Sequence, residues 1–148
     1  LLLGSGEPLD GAWGLGRARG PRLPLVLVPT TAGTGSEATP VSIVTVGGEE
    51  KRGVSSPLLL PDLAILDAEL TLGLPPAITA ATGIDAMVHA IEAFTSASPN
   101  ANPISRALAR EALRLLGAHV RRAVAEGSDR PAREGMLLGS LLAGQAFA

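Results

Sequence analysis

Asp85 and His89 are the residues of this chain whose types and spacing best suit chemistry. On a helix, side chains four apart lie one above the other on a single face. A carboxylate and an imidazole so placed can fill two positions around a divalent ion. Two donors fall short of the three or four that such a site needs, and the spacing leaves plainer readings open. Asp85 follows Thr82 by three positions, the spacing of a capping box at a helix start. His89 lies among Val88, Ala90 and Ile91 and suits the part of a hydrogen-bonded core histidine. The other histidine, His119, has no acid or second histidine at ligand spacing. It reads as structural or exposed, near a helix end where a cation is favoured.

A second chemical stretch is Thr30-Thr-Ala-Gly-Thr-Gly-Ser-Glu-Ala-Thr39, a run of small and hydroxyl-bearing residues. It follows an apolar run, Leu23 to Val28, that reads as a strand covered on both faces of a parallel sheet. Loops beyond the carboxyl ends of such strands are where α/β folds bind ligands. The run is neither a Walker A loop nor a Gly-x-Gly-x-x-Gly fingerprint, and an ordinary Gly/Thr turn is the plainer reading.

Stepping outward from these residues, the first half of the chain reads as strands and loops. Glycines and prolines break residues 4–21 into a loop with a possible helical turn near Leu9 to Trp13. Val41 to Val46 is rich in β-branched residues, Gly47 to Glu50 is a turn, and Lys51 to Ser56 is the returning strand of a hairpin. Lys51 suits a solvated turn or a position facing a cleft. Asp62 to Asp67 is another short buried strand. After Leu74 the pattern is helical. Pro76 to Ala81 makes one or two turns, which Thr82-Gly83 interrupts. Ile84 to about Ser96 is a helix with Ile84, Val88 and Ile91 on a shared apolar side. Asn102 caps a helix opening at Pro103, whose Arg106, Arg110 and Arg114 form a solvated face. Ser128 caps a last helix in which Gly135, Gly139 and Ala143 invite close helix packing. This segregation of strands from helices suggests two domains meeting near Leu72 to Pro75. A cleft between them would bring the Thr30 to Thr39 loop toward Asp85 and His89.

Composition narrows the function classes. At 148 residues the chain is long enough for a real core, and 46% hydrophobic content argues against disorder. With 2% aromatics, that core is built from Leu, Val, Ile and Ala. The formal net charge of -2 and the lack of a basic stripe argue against nucleic acid as a partner. The absence of cysteine excludes disulfides, thiolate ligands and a Cys nucleophile within the chain. No apolar run approaches a membrane span. The expectation is a cytoplasmic protein that acts on a small molecule and not on a membrane.

Four ordered stretches carry a family resemblance: Pro29-Thr-Thr-Ala-Gly-Thr-Gly-Ser-Glu37 with Thr39; Pro61-Asp-Leu-Ala-Ile-Leu-Asp67 with Glu69-Leu-Thr71; Leu74-Pro-Pro76 leading to Ala80-Ala-Thr-Gly-Ile-Asp-Ala86; and His89-Ala-Ile-Glu92. Ala143-Gly-Gln-Ala-Phe147 extends it. In these the chain resembles the iron-containing (group III) alcohol dehydrogenase family. The resemblance implies an α/β, Rossmann-like dinucleotide-binding part followed by an all-α part, as in the dehydroquinate synthase-like architecture. Residues 1–73 would be the later portion of the first domain, and residues 74–148 the opening portion of a helical metal-binding domain. Asp85 and His89 match the first two metal ligands. Thr30, Thr31 and Thr39 match loop positions that contact the nicotinamide cofactor, and Lys51 matches a family lysine near it.

The activity implied is reversible hydride transfer between an alcohol and NAD or NADP, giving an aldehyde or ketone. Fe²⁺ would be the metal, with Zn²⁺ or another divalent ion as the alternative, and no catalytic residue stands apart from the ligands. A hydroxyacid–oxoacid transhydrogenase, a maleylacetate reductase and a glycerol dehydrogenase share the fold. The wording of Thr30 to Glu37 favours the alcohol dehydrogenase branch over the last two. The family's Gly-Gly-Gly-Ser segment is expected upstream of Leu1, and two further histidine ligands beyond Ala148. The chain alone is therefore expected to be inactive, and the full-length protein to be a homo-oligomer. Ala68 stands where a proline is common.

Overall fold

The computed structural model describes residue 6 and residues 8–148. Its strands and helices run in the order α1 (Leu9–Ala12), β1 (Gly14–Leu15), β2 (Val26–Leu27), β3 (Val41–Val46), β4 (Glu50–Ser55), β5 (Leu63–Ala64), α2 (Pro76–Thr95), α3 (Pro103–Ala125) and α4 (Arg130–Phe147). The α/β-then-helical order read from the sequence is the one observed.

The hairpin forms as its pattern predicts. β3 and β4 pair antiparallel from Val41 opposite Ser55 to Val46 opposite Glu50, and Gly47 supplies the positive φ of 63° that the turn needs. β1, inside a stretch read as loop, adds a parallel edge to β4. β2 and β5 form a separate two-stranded parallel pair. It is shorter than the apolar runs suggested, and its Val26 and Leu63 are exposed rather than covered on both faces. Arg22 and Asp62 clamp its entrance. The guanidinium donates to both carboxylate oxygens at 2.6 and 2.7 Å, and the Leu25 amide donates to the same carboxylate at 2.7 Å. Those donors hold the Asp62 carboxyl well below the usual carboxylate range.

The helices form a three-helix bundle with α4 packed on both α2 and α3. Asn102 accepts from the Ile104 and Ser105 amides, and the Ser105 side chain reaches back to complete a capping box. For α4 the cap is Asp129, not Ser128. Its carboxylate accepts from the Ala132 amide at 3.0 Å, and an anion there also meets the positive end of the helix.

The larger correction concerns α2. Thr82-Gly83 does not interrupt it, and one helix runs unbroken from Pro76 to Thr95. The Thr82 hydroxyl donates to the Ile78 carbonyl at 2.9 Å, a bond available within the helix. Gly83 is a packing site rather than a break, because a Cβ there would stand 2.7 Å from the Met136 Cε. Asp85 therefore lies mid-helix, and the capping-box reading of it fails. The side of α2 that is buried carries Thr79, Gly83, Ala86, Ala90 and Ala93, while Ile84, Val88 and Ile91 face outward. Small side chains let α3 and α4 approach closely, so the less hydrophobic face takes the core.

Two clusters make up that core. One joins Ala86, Leu116, Ala123, Met136 and Leu137 of the helices to Ala32 and Ala68 of the connecting segments. The other is almost entirely alanine: Ala90, Ala93, Ala109, Ala112, Ala143 and Ala146. Arg133 is buried within the bundle at 2% exposure. It donates to Thr79 Oγ1 at 2.7 Å, to the Gly127 carbonyl at 3.0 Å and to the Leu74 carbonyl at 3.4 Å. This one side chain ties α4 to the start of α2 and to the end of α3.

Candidate active site

The continuous course of α2 puts Asp85 and His89 on successive turns of one face. Their nearest atoms, Asp85 Oδ1 and His89 Nε2, are 3.8 Å apart. The carboxylate is half exposed (48%) and the imidazole less so (27%). Both open into a cavity of about 550 Å³ lined also by Thr34, Ser36 and Thr39 and by Val41, Ile43 and Phe147. The Phe147 ring lies against the His89 imidazole, with centroids 5.4 Å apart and planes at 50°.

Two glycines bring the hydroxyl-rich loop over the pair. Gly33 sits against α2, where a Cβ would stand 2.9 Å from the Thr82 Cβ. Gly35, at φ +58°, sits against α4, where a Cβ would stand 2.6 Å from the Ser140 carbonyl oxygen. The contact is reciprocal, since a Cβ on Gly144 would stand 2.4 Å from the Gly35 carbonyl oxygen. Backbone touches backbone here, and a side chain on either residue would force the loop away. Two residues beyond Gly35, Glu37 is buried, with its Oε1 lacking a hydrogen-bond partner. Burial pushes its carboxyl up from the ordinary range. The Ser140 hydroxyl, also buried, lacks a partner as well.

Of the residues singled out from the sequence, Thr39, Asp85 and His89 share this cavity. Thr30 and Thr31 open the loop before Gly33 and do not line it. Lys51 is exposed on β4 opposite Thr45 of the hairpin and does not line it either. His119 does not line the cavity and stands against Gly135, where a Cβ would meet its ring at 2.2 Å. Thr34 and Ser36 fall inside the Thr30 to Thr39 loop that the sequence brought toward Asp85 and His89, though they were not singled out there; Val41 and Ile43 were missed as walls. The β-branched alternation of β3 was the available signal for the last two, since one face of the hairpin must look somewhere.

As to a metal, the donor chemistry suits one. Carboxylate and imidazole are both ligands of borderline divalent ions, and bonds of about 2.0–2.2 Å from each can meet at one point between atoms this close. The set is partial: no group of three or more His, Cys, Asp or Glu among the described residues could hold an ion.

A model of "Iron-containing alcohol dehydrogenase" matches residues 2–68, and one of "Fe-containing alcohol dehydrogenase family, C-terminal" matches residues 79–148. The chain belongs to the iron-containing alcohol dehydrogenase family. Among relatives of this family, it is 46% identical over 149 residues to the sulfoacetaldehyde reductase of Bilophila wadsworthia, spanning 99% of this chain and 38% of that one. The structure of an alcohol dehydrogenase from Oenococcus oeni superposes with a TM-score of 0.87 at 37% identity, covering 96% of this chain and 37% of that one. A sulfoacetaldehyde reductase from Bifidobacterium kashiwanohense, solved in complex with NAD+, superposes with a TM-score of 0.79 at 42% identity, covering 85% and 33%. The chain thus spans about a third of the length of the relatives it matches. Among its described residues, no helix is long and apolar enough to cross a membrane.

Proposed function

We propose that this chain forms part of a metal-dependent, NAD(P)-linked alcohol dehydrogenase, in which Asp85 and His89 are two of the metal ligands. The observation that carries the reading is the pairing of Asp85 Oδ1 with His89 Nε2 at 3.8 Å in a cavity roofed by the Thr34 to Thr39 loop. A bound Fe²⁺ or other divalent ion supplies Lewis acidity toward an alcohol or carbonyl oxygen, and the nicotinamide supplies the hydride acceptor. The residues of the chain do the holding. Asp85 and His89 offer one oxygen and one nitrogen lone pair from a rigid helix. Phe147 packs on the imidazole and limits its rotation. Thr30, Thr31, Thr39 and Lys51 are assigned to cofactor contact on the family pattern. The walls given by this chain are hydroxyls and apolar side chains, which suit a small uncharged alcohol or aldehyde. Residues 1–73 are assigned to the dinucleotide-binding domain and residues 74–148 to the metal-binding domain.

The test is Co²⁺ binding followed by absorption, with hydride transfer to NAD(P) measured alongside. Two donors make a weak site, so the 148-residue chain should bind Co²⁺ weakly and show no alcohol oxidation. Asp85→Ala and His89→Ala should each abolish what binding there is. Binding that survives both substitutions unchanged refutes the ligand assignment.

A further inference from the structure

Among the described residues, no hydrogen bond ties the hydroxyl-rich loop to the helices beneath it. The bonds made by residues 30–39 all stay inside the loop. The Ala38 amide donates to the Gly35 carbonyl at 3.0 Å, and the Thr39 amide to the Ser36 carbonyl at 3.3 Å. The Thr34 and Thr39 hydroxyls bond within the same turn. Only the two ends are tied down. Leu27 accepts from the Ile65 amide at 2.9 Å on one side, and Pro40 accepts from the Ser56 amide at 2.9 Å on the other. Between them the loop rests on α2 through Gly33 and on α4 through Gly35. It can lift as a unit and lose buried contact without breaking a hydrogen bond.

Glu37 sets how firmly the loop rests. Its neighbours Ser36 and Thr39 line the cavity, whereas Glu37 does not and is buried at 3% exposure. A neutral carboxyl can stay there with Oε1 unpartnered, but a carboxylate needs water or a donor. The charged or titratable groups on the elements touching the loop are Asp85, His89 and Glu92 on α2 and Arg130, Arg133 and Glu134 on α4. Asp67 and Glu69 flank Ala68, which packs with Ala32. None of them acts on the Glu37 carboxyl, which burial raises against the pull of its own amide alone. With no cation to hold it, an ionised Glu37 reaches water most cheaply by carrying the loop off α4.

We propose that residues 30–39 are a lid over the Asp85–His89 cavity, seated while Glu37 is protonated and lifted as a unit when Glu37 ionises. Seating is strongest below the pKa of the open state and is lost as pH rises through that of the closed state. Thr34, Ser36 and Thr39 leave with the lid, so the cavity opens as pH rises. What the cavity binds rests on the proposed function; the lid itself needs no ion.

The test exploits the absence of cysteine. Ser140 lies one turn before Gly144, on the face of α4 that meets Gly35. It is buried with its hydroxyl unpartnered, so Ser140→Cys places a thiol beneath the lid with no bond lost. Met136→Cys places one in the bundle core, exposed only when the bundle unfolds. Reaction with 4,4′-dithiodipyridine is followed on the full chain in EDTA at pH 5 and pH 8, with and without Glu37→Gln. Comparison at one pH cancels the ionisation of the thiol. The rate of Ser140→Cys relative to its Glu37→Gln counterpart should grow by more than about threefold from pH 5 to pH 8. At pH 8 it should exceed that of Met136→Cys by about tenfold or more, because the lid opens without the bundle. The proposal is overturned if that ratio is the same at both pH values, or if Ser140→Cys reacts no faster than Met136→Cys at pH 8. Because EDTA removes any ion, failure here leaves the ligand assignment standing, and failure of Co²⁺ binding leaves the lid standing.

Discussion

The contact between Gly35 and Gly144 is a direct test of how the loop is held over Asp85 and His89. In Gly144→Ala the new methyl would stand 2.4 Å from the Gly35 carbonyl oxygen, against an ordinary contact of 3.4 Å or more, so loop and helix must part by about 1 Å. Neither side can yield cheaply, because both are backbone. Overpacking of this kind costs about 1–3 kcal/mol, and the rigidity of both partners places the cost near the upper end. The gain in helix propensity returns about 0.5–1 kcal/mol, leaving a net loss of about 2 kcal/mol. Gly117→Ala is the matched control. It makes the same change inside α3, where a Cβ meets nothing within 4 Å, so only the propensity gain remains and the chain should become more stable by about 0.5–1 kcal/mol. Urea denaturation followed by circular dichroism should therefore separate the two variants by about 3 kcal/mol. Gly35→Ala meets the same contact from the other side and adds about 1–2 kcal/mol for its left-handed φ. The double variant should fall short of additivity by about 1 kcal/mol, since one separation relieves both overlaps. If Gly144→Ala and Gly117→Ala agree within about 0.5 kcal/mol, backbone docking does not hold the loop.

Other expectations follow from single side chains. Asp62 has a folded pKa below its unfolded value, so its contribution is present above about pH 4 and is lost as pH falls through the folded value. Asp62→Asn should flatten the acid limb of the stability–pH curve, and an unchanged limb would discount the Arg22 clamp. Glu37 has the opposite sign. Its raised folded pKa costs stability as pH rises, so Glu37→Gln should stabilise the chain, by more at pH 8 than at pH 5, in thermal melts at the two values. Arg133→Met strands three acceptors, including the buried Thr79 hydroxyl, and should cost about 3 kcal/mol in urea titrations, with Arg133→Lys recovering only part. Asn102→Ala removes the capping box of α3 and should cost about 1 kcal/mol by the same measurement.

Much of this molecule was legible in its sequence because the relevant interactions are short-range. The β3–β4 hairpin follows from β-branched alternation on either side of a glycine turn. The cap at Asn102, the proline after it and the four-residue spacing of Asp85 and His89 are likewise local, and each survives in the structure. What the chain order could not decide is which surfaces meet. Thr82-Gly83 looks like a break until Met136 of α4 is seen filling the space beside Gly83. Ile84, Val88 and Ile91 look like the buried side of α2, yet the bundle closes on Ala86, Ala90 and Ala93. Periodicity identifies a face, but the depth to which two helices can sink together depends on the size of the side chains on both. Here alanine and glycine on three helices allow the closer fit. The same holds at the site. The loop's composition suggested ligand contact, and Asp85 with His89 suggested half of a metal site. Only the tertiary contacts of Gly33 with Thr82 and of Gly35 with Gly144, the latter pair 109 positions apart, place Thr34, Ser36 and Thr39 in one cavity with that pair.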